Sequence, residues 1–111
     1  MTTRKENFTS LMNATNAMIK YSTDYTAIDF KFFMEDMKEE LKAYKDEILA
    51  LTEKLMKLED NIIEQEEYTN YNFYINEYVS CAKALQECKE ERQALYKKQI
   101  EVFKAYTKIY F

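Results

Sequence analysis

Two cysteines, three adjacent pairs of carboxylates and a closing run that mixes lysine with aromatic residues are the parts of this chain whose residue types could do chemistry. Each meets an objection. No histidine occurs in the 111 residues, so the commonest general base and metal ligand is missing, and nothing is at hand to activate the thiols of Cys81 and Cys88. Seven residues apart on a helix rising about 1.5 Å per residue, the two cysteines stand about 10 Å from one another, outside disulfide reach. They read as reduced, buried small hydrophobes. Glu39-Glu40, Asp46-Glu47 and Glu66-Glu67 are neighbours in sequence, but adjacent helical side chains diverge by about 100°, and no Glu-x-x-His completes a di-iron cage. Phosphate loops, nucleophile elbows, dinucleotide fingerprints and Cys-x-x-Cys sites are also missing. The expectation is therefore a non-enzyme without cofactor or metal.

The closing run, Tyr96 to Phe111, has the composition of single-strand binders and interfacial membrane helices. Its aromatics also fit a packed helix, and the preceding segment is acidic. Nucleic acid and membrane accordingly rank behind a protein partner.

The elements that must position these residues follow from a second absence. The chain has neither glycine nor proline, and so lacks its best helix breakers and its usual source of tight turns. Long helices remain. With 47% hydrophobic and 32% charged residues, the composition is that of a folded soluble protein rather than a disordered one. The opening residues lead into no apolar signal core, and no stretch approaches the roughly 18 apolar residues of a membrane span. A cytoplasmic location is the expectation. The abundance of Tyr, Phe, Lys, Asn and Ile is what an AT-rich reading frame encodes, as in a low-GC bacterium, its phages or an AT-rich virus.

Hydrophobic spacing predicts three helices in a single all-helical domain, 1–111. The first covers about 3–21, with Phe8, Leu11, Met12, Met18 and Ile19 on one stripe. Ser22 to Thr26 interrupts it, and Thr26 with Asp29 three residues on imitates a capping box for the second helix, about 27–67. In that helix Phe30, Met34, Met37, Leu41, Tyr44, Ile48, Leu51, Leu55, Leu58 and Ile62 alternate spacings of four and three. The third, about 72–110, repeats the pattern from Tyr74 through Tyr78, Cys81, Leu85 and Cys88 to Ile109, with Arg92 and Gln99 its polar members. Thr69-Asn70-Tyr71-Asn72 offers the residues best able to turn without glycine. The fold class is thus all-α: an antiparallel, coiled-coil-like helical hairpin with a short N-terminal helix, a three-helix arrangement expected to dimerise. Turning at 69–72 sets Leu51 against Cys88, Lys38 against Glu101, Glu40 near Lys98, and Arg92 beside Asp46 and Glu47. The charge balance agrees: residues 29–67 hold thirteen acids and six lysines, whereas 68–111 hold seven bases and five acids. A parallel pairing of two copies of helix 2 is the rival.

A hairpin needs only its seam, yet a second apolar stripe runs beside it. Leu49, Met56 and Ile63 mark it on helix 2; Ile75, Val79, Ala82, Tyr96, Ile100, Phe103 and Tyr110 mark it on helix 3. The other flank, with Glu40, Glu47, Lys54, Asn61, Glu77, Glu91 and Lys98, is polar. The first helix is expected to fold back as far as about Ala43 and enclose the Tyr96 to Tyr110 end. Leu49, Met56, Ile63, Ile75, Val79 and Ala82 then remain as the candidate partner-binding surface, since contiguous exposed apolar patches mark interaction sites. Three functions follow in order: a protein-interaction module binding another protein or itself; an acidic inhibitor that occupies a basic groove of a nucleic-acid-handling protein; and direct nucleic-acid or membrane binding by the closing run.

Overall fold

A computed structural model describes residues 3–64 and 68–111, with the side chains of 68–70 outside the description. It is all-helical: α1 spans Arg4–Lys20, a short 3-10 turn Ser22–Asp24 follows, α2 spans Ala27–Glu64 and α3 spans Tyr68–Tyr110. Both starts that carry a threonine and an acid three residues on are closed by reciprocal capping. The Thr3 hydroxyl accepts from the Glu6 N–H while the Glu6 carboxylate accepts from the Thr3 N–H, and Thr26 with Asp29 does the same at 3.2 and 2.9 Å. Each pair satisfies two amides that the helix leaves without partners.

The chain divides into two units, Met1–Lys42 with Glu91–Phe111, and Ala43–Glu90. In the first unit three helices pack together. Met18 of α1, Phe30 of α2 and Val102 of α3 are buried at its centre, with Ile19, Tyr25, Phe33, Met34 and Tyr106 around them. Phe30 is the hub, with Tyr25, Tyr106 and Tyr110 at ring-centroid distances of 6.2, 5.6 and 6.3 Å, in tilted and edge-on arrangements. Such pairs add to the area that burial removes from water. The Tyr110 hydroxyl donates to the Tyr25 carbonyl at 3.0 Å, tying the end of α3 to the residues just before α2. The second unit is a two-helix hairpin whose buried residues are Tyr44, Leu58, Cys81, Leu85 and Cys88. Ile48, Leu51, Leu55 and Ile62 are only half-buried there, because two helices cannot enclose a seam on both flanks.

The antiparallel hairpin is as expected, but its register is not. Thr69 to Asn72 lie inside α3, and α2 ends at Glu64; residues 65–67 lie outside the described residues. The Cys81 thiol donates to the Leu51 carbonyl at 3.4 Å, so Cys81 takes the place beside Leu51 that the sequence assigned to Cys88. The two cysteines hold equivalent positions of a seven-residue repeat, so the seam keeps its phase while every cross-hairpin partner changes. The charge pairs expected from the turn dissolve accordingly. Glu101 pairs within its own helix with Lys98 at 3.2 Å, not with Lys38, and Glu40 borders α1.

The first helix also lies on the other flank. Asn7, Ser10, Leu11 and Ala14 of α1 face Phe33, Asp36 and Glu40 of α2 across a shallow cleft, and Arg4 Nε binds Glu91 Oε2 at 3.0 Å. Tyr96, Ile100, Phe103 and Tyr110, expected beneath it, are exposed. The physical reason is that the flank judged polar opens with Phe33, and Arg4 neutralises the acid at its far end. α1 covers that flank with matched charge.

Two measurements test this arrangement. Phe30 is 1% exposed and Phe32 60%, so Phe30→Ala should cost about 3–5 kcal/mol in urea unfolding while Phe32→Ala changes little. In carbon-edited NOE spectra the Cys81 β-protons should report contact with the Leu51 turn. Contact from Cys88 to Leu51 instead would restore the longer register.

Candidate interaction surface

Glu39 is exposed while Glu40 is half-buried beside α1, so this pair diverges as helix geometry requires; Asp46 and Glu47 are both exposed, and Glu66-Glu67 lies outside the described residues. Among the described residues no group of three or more His, Cys, Asp or Glu is placed to hold a metal ion. Cys81 and Cys88 are buried and form no disulfide, and the Cys81 thiol is spent on a backbone carbonyl. No described helix is long and apolar enough to cross a membrane.

Arg92 is the polar intrusion that the seam has to accommodate. Its guanidinium lies over the Tyr96 ring at 5.1 Å and Nη2 reaches the Tyr96 hydroxyl at 3.5 Å, but Nε is buried without a hydrogen-bond partner. The changed register removes the acids, Asp46 and Glu47, that the sequence reading placed beside it. An aromatic face compensates for part of the desolvation of a cation and leaves the Nε–H unmatched.

What remains is apolar surface, and each unit holds some of it. In the second unit Leu49, Met56 and Ile63 recur every seven residues along α2 and are 54%, 61% and 75% exposed. On α3, Val79 is exposed, while Ile75 and Ala82 are half-buried where the two helices meet. The Cys81 to Leu51 contact sets Val79 to Ala82 at the level of the Leu49 to Met56 turns, so the six residues share one flank of this hairpin. Lys45 and Lys89 stand at one end of that flank and Glu59 at the other, all exposed and without an ion pair among the described residues.

In the first unit the flank opposite α1 is open. A groove of about 370 Å³ lies there, floored by Phe30 and Met34 and walled by Ile28, Lys31, Phe103 and Tyr106. Sequence reasoning missed this opening because it laid α1 over it. Ile28 was the available signal: it precedes Leu49 by three repeats on the same row of α2, with the charged Glu35 and Lys42 between.

Comparison of the chain with protein-family models, with curated protein sequences and with solved structures gave no match.

Arg92 supplies a test of the seam. Replacing a semi-buried cation that lacks its acid by an apolar side chain of similar length removes a desolvation cost, so Arg92→Met should raise the unfolding free energy by about 1 kcal/mol or more. A loss of stability in urea titration would show that the cation has a partner in solution.

Proposed function

We propose that this chain is a non-enzymatic protein-interaction module, of the adaptor, assembly or regulatory kind, and that its second unit works by burying the stripe of Leu49, Met56, Ile63, Ile75, Val79 and Ala82. The observation that carries the reading is that Leu49, Met56, Ile63 and Val79 of this stripe stand exposed, outside the buried seam. The seam holds the buried residues of the unit, and large apolar side chains stand beside it in water. At about 25 cal/mol per Å² such side chains represent several kcal/mol of burial left unused.

The occupant best matched to the stripe is a second copy of the chain. Basic side chains at one end and an acid at the other make the flank complementary to itself when two copies meet antiparallel: Glu59 of each copy comes opposite Lys45 and Lys89 of its mate. The small side chains Thr52 and Ala82 then lie near the two-fold axis, where close approach is needed, and the interface is isologous. Two hairpins joined in this way supply the flank that neither has alone.

A second reading rests on a different row. Glu39, Asp46, Glu53 and Asp60 recur every seven residues on the outer side of α2, all exposed, and suit capture by a basic groove. Salt separates the two readings, since charge-led binding weakens steeply with ionic strength and apolar burial does not.

Met56→Glu is the direct test. It places two charges in the dimer interface while leaving the seam untouched, so light scattering should show the monomer mass where the parent chain shows twice that mass, with unchanged helical circular dichroism. A parent chain that is monomeric at ~100 μM, a Kd weaker than about −5.5 kcal/mol represents, would overturn the self-association. If Met56→Glu unfolds the chain, the stripe is core.

A further inference from the structure

From the open flank of the first unit we infer a second docking surface, built for an acidic amphipathic helix of a partner protein. On one flank of the α2 and α3 pair an amphipathic helix, α1, fills the space beside Phe33 and meets the acidic Glu91 with its own Arg4. The opposite flank of the same two helices is the equivalent cradle without its third helix, and it holds the groove of about 370 Å³ walled by Ile28, Lys31, Phe103 and Tyr106. That space takes one or two large apolar side chains, the anchors by which an amphipathic helix seats itself in a groove.

The charge of this flank is opposite to that of the flank α1 covers. Lys31 borders the groove, Lys38 follows it by seven residues on the same row of α2, and Lys42 lies one further turn along. All three are exposed, and none has an ion pair among the described residues; Glu35 is the one acid on the α2 row between Ile28 and Lys42. In a chain of net charge −4, three unmatched lysines along the α2 side of an apolar groove are a local reversal of sign. A helix carrying Asp or Glu beside its apolar anchors satisfies both features at once, by burial in the groove and by charge along its rim.

The same features weigh against a polyanion or a lipid surface as the occupant. Arg4 is held by Glu91 and Arg92 lies over Tyr96, so no arginine is left on this flank to grip phosphates, and the net negative charge of the chain opposes a nucleic acid at long range. A concave groove favours inserted side chains over a flat bilayer. This surface is separate from the stripe of the second unit and does not rest on the self-association proposed for it.

The test uses the full chain and a fluorescein-labelled synthetic 18-residue amphipathic helix, with Leu and Phe spaced four and three apart on one face and Glu on both borders. A peptide of the same composition with its apolar period scrambled, vesicles of phosphatidylglycerol and phosphatidylcholine, and a single-stranded oligonucleotide are the comparison probes. Fluorescence anisotropy should give binding with a Kd of tens of micromolar, roughly tenfold or more tighter than the scrambled peptide. Phe103→Asp, and separately Lys31→Glu with Lys38→Glu, should each weaken it by about tenfold, while Met56→Glu leaves it unchanged. Thermal unfolding of each variant shows that the effect is on the surface rather than on the fold. Absence of binding at ~100 μM, equal binding of the scrambled peptide, or tighter binding to vesicles or oligonucleotide would each overturn the proposal.

Discussion

The seam between α2 and α3 is one side chain wide, and the other features of the chain are arranged by it. Apolar residues recurring every three and four positions fix which way each helix faces, and within each unit the antiparallel pair then has two defined flanks. A two-helix seam buries only its central row. In the second unit Tyr44, Leu58, Cys81, Leu85 and Cys88 are buried, whereas Leu51 and Leu55 remain partly in water. The first unit solves the same problem on one flank by adding α1. Buried Met18 and Thr15, with the Thr15 hydroxyl turned back onto the Leu11 carbonyl, show how completely that third helix is engaged.

Much of this was legible in the sequence. The lack of glycine and proline announced long helices, the alternation of four and three picked out the buried side of each, and Thr26 with Asp29 marked the start of α2 to the residue. Register was not legible, for a physical reason. A seven-residue repeat looks the same after a slip of seven, so Leu51 accepts Cys81 as readily as Cys88, and only the position of the turn decides. The turn was sought where asparagine and threonine cluster, at 69–72, yet those residues carry a helix when their neighbours do, since propensity is a weak prior beside packing.

The side on which α1 docks failed for another reason. Counting Glu40, Glu47, Glu77 and Glu91 made one flank polar on average, but a helix docks on particular residues, here Phe33 near its C-terminal end and Glu91 opposite Arg4 near its N-terminus. A charge at a flank is a cost only if nothing answers it. Of the stripe residues of the second unit, Leu49, Met56, Ile63 and Val79 stand exposed, whereas Ile75 and Ala82, which spacing alone leaves in water, are half-buried; the opening in the first unit appears only when α1 is seen on the opposite side.

The Tyr110 to Tyr25 hydrogen bond and the Phe30 aromatic cluster have a consequence for how the chain acquires its structure during synthesis. The centre of the first unit draws on Met18 and Phe30 from early in the chain and on Val102, Tyr106 and Tyr110 from its last turns. The hairpin of 43–90 requires only residues already made well before that. On a ribosome emitting the chain from its N-terminus, the two-helix hairpin can therefore close first, by the shorter loop, while α1 waits with its apolar face uncovered until residues 102–110 emerge. A nascent chain of this design passes through an interval in which chaperones have most to bind.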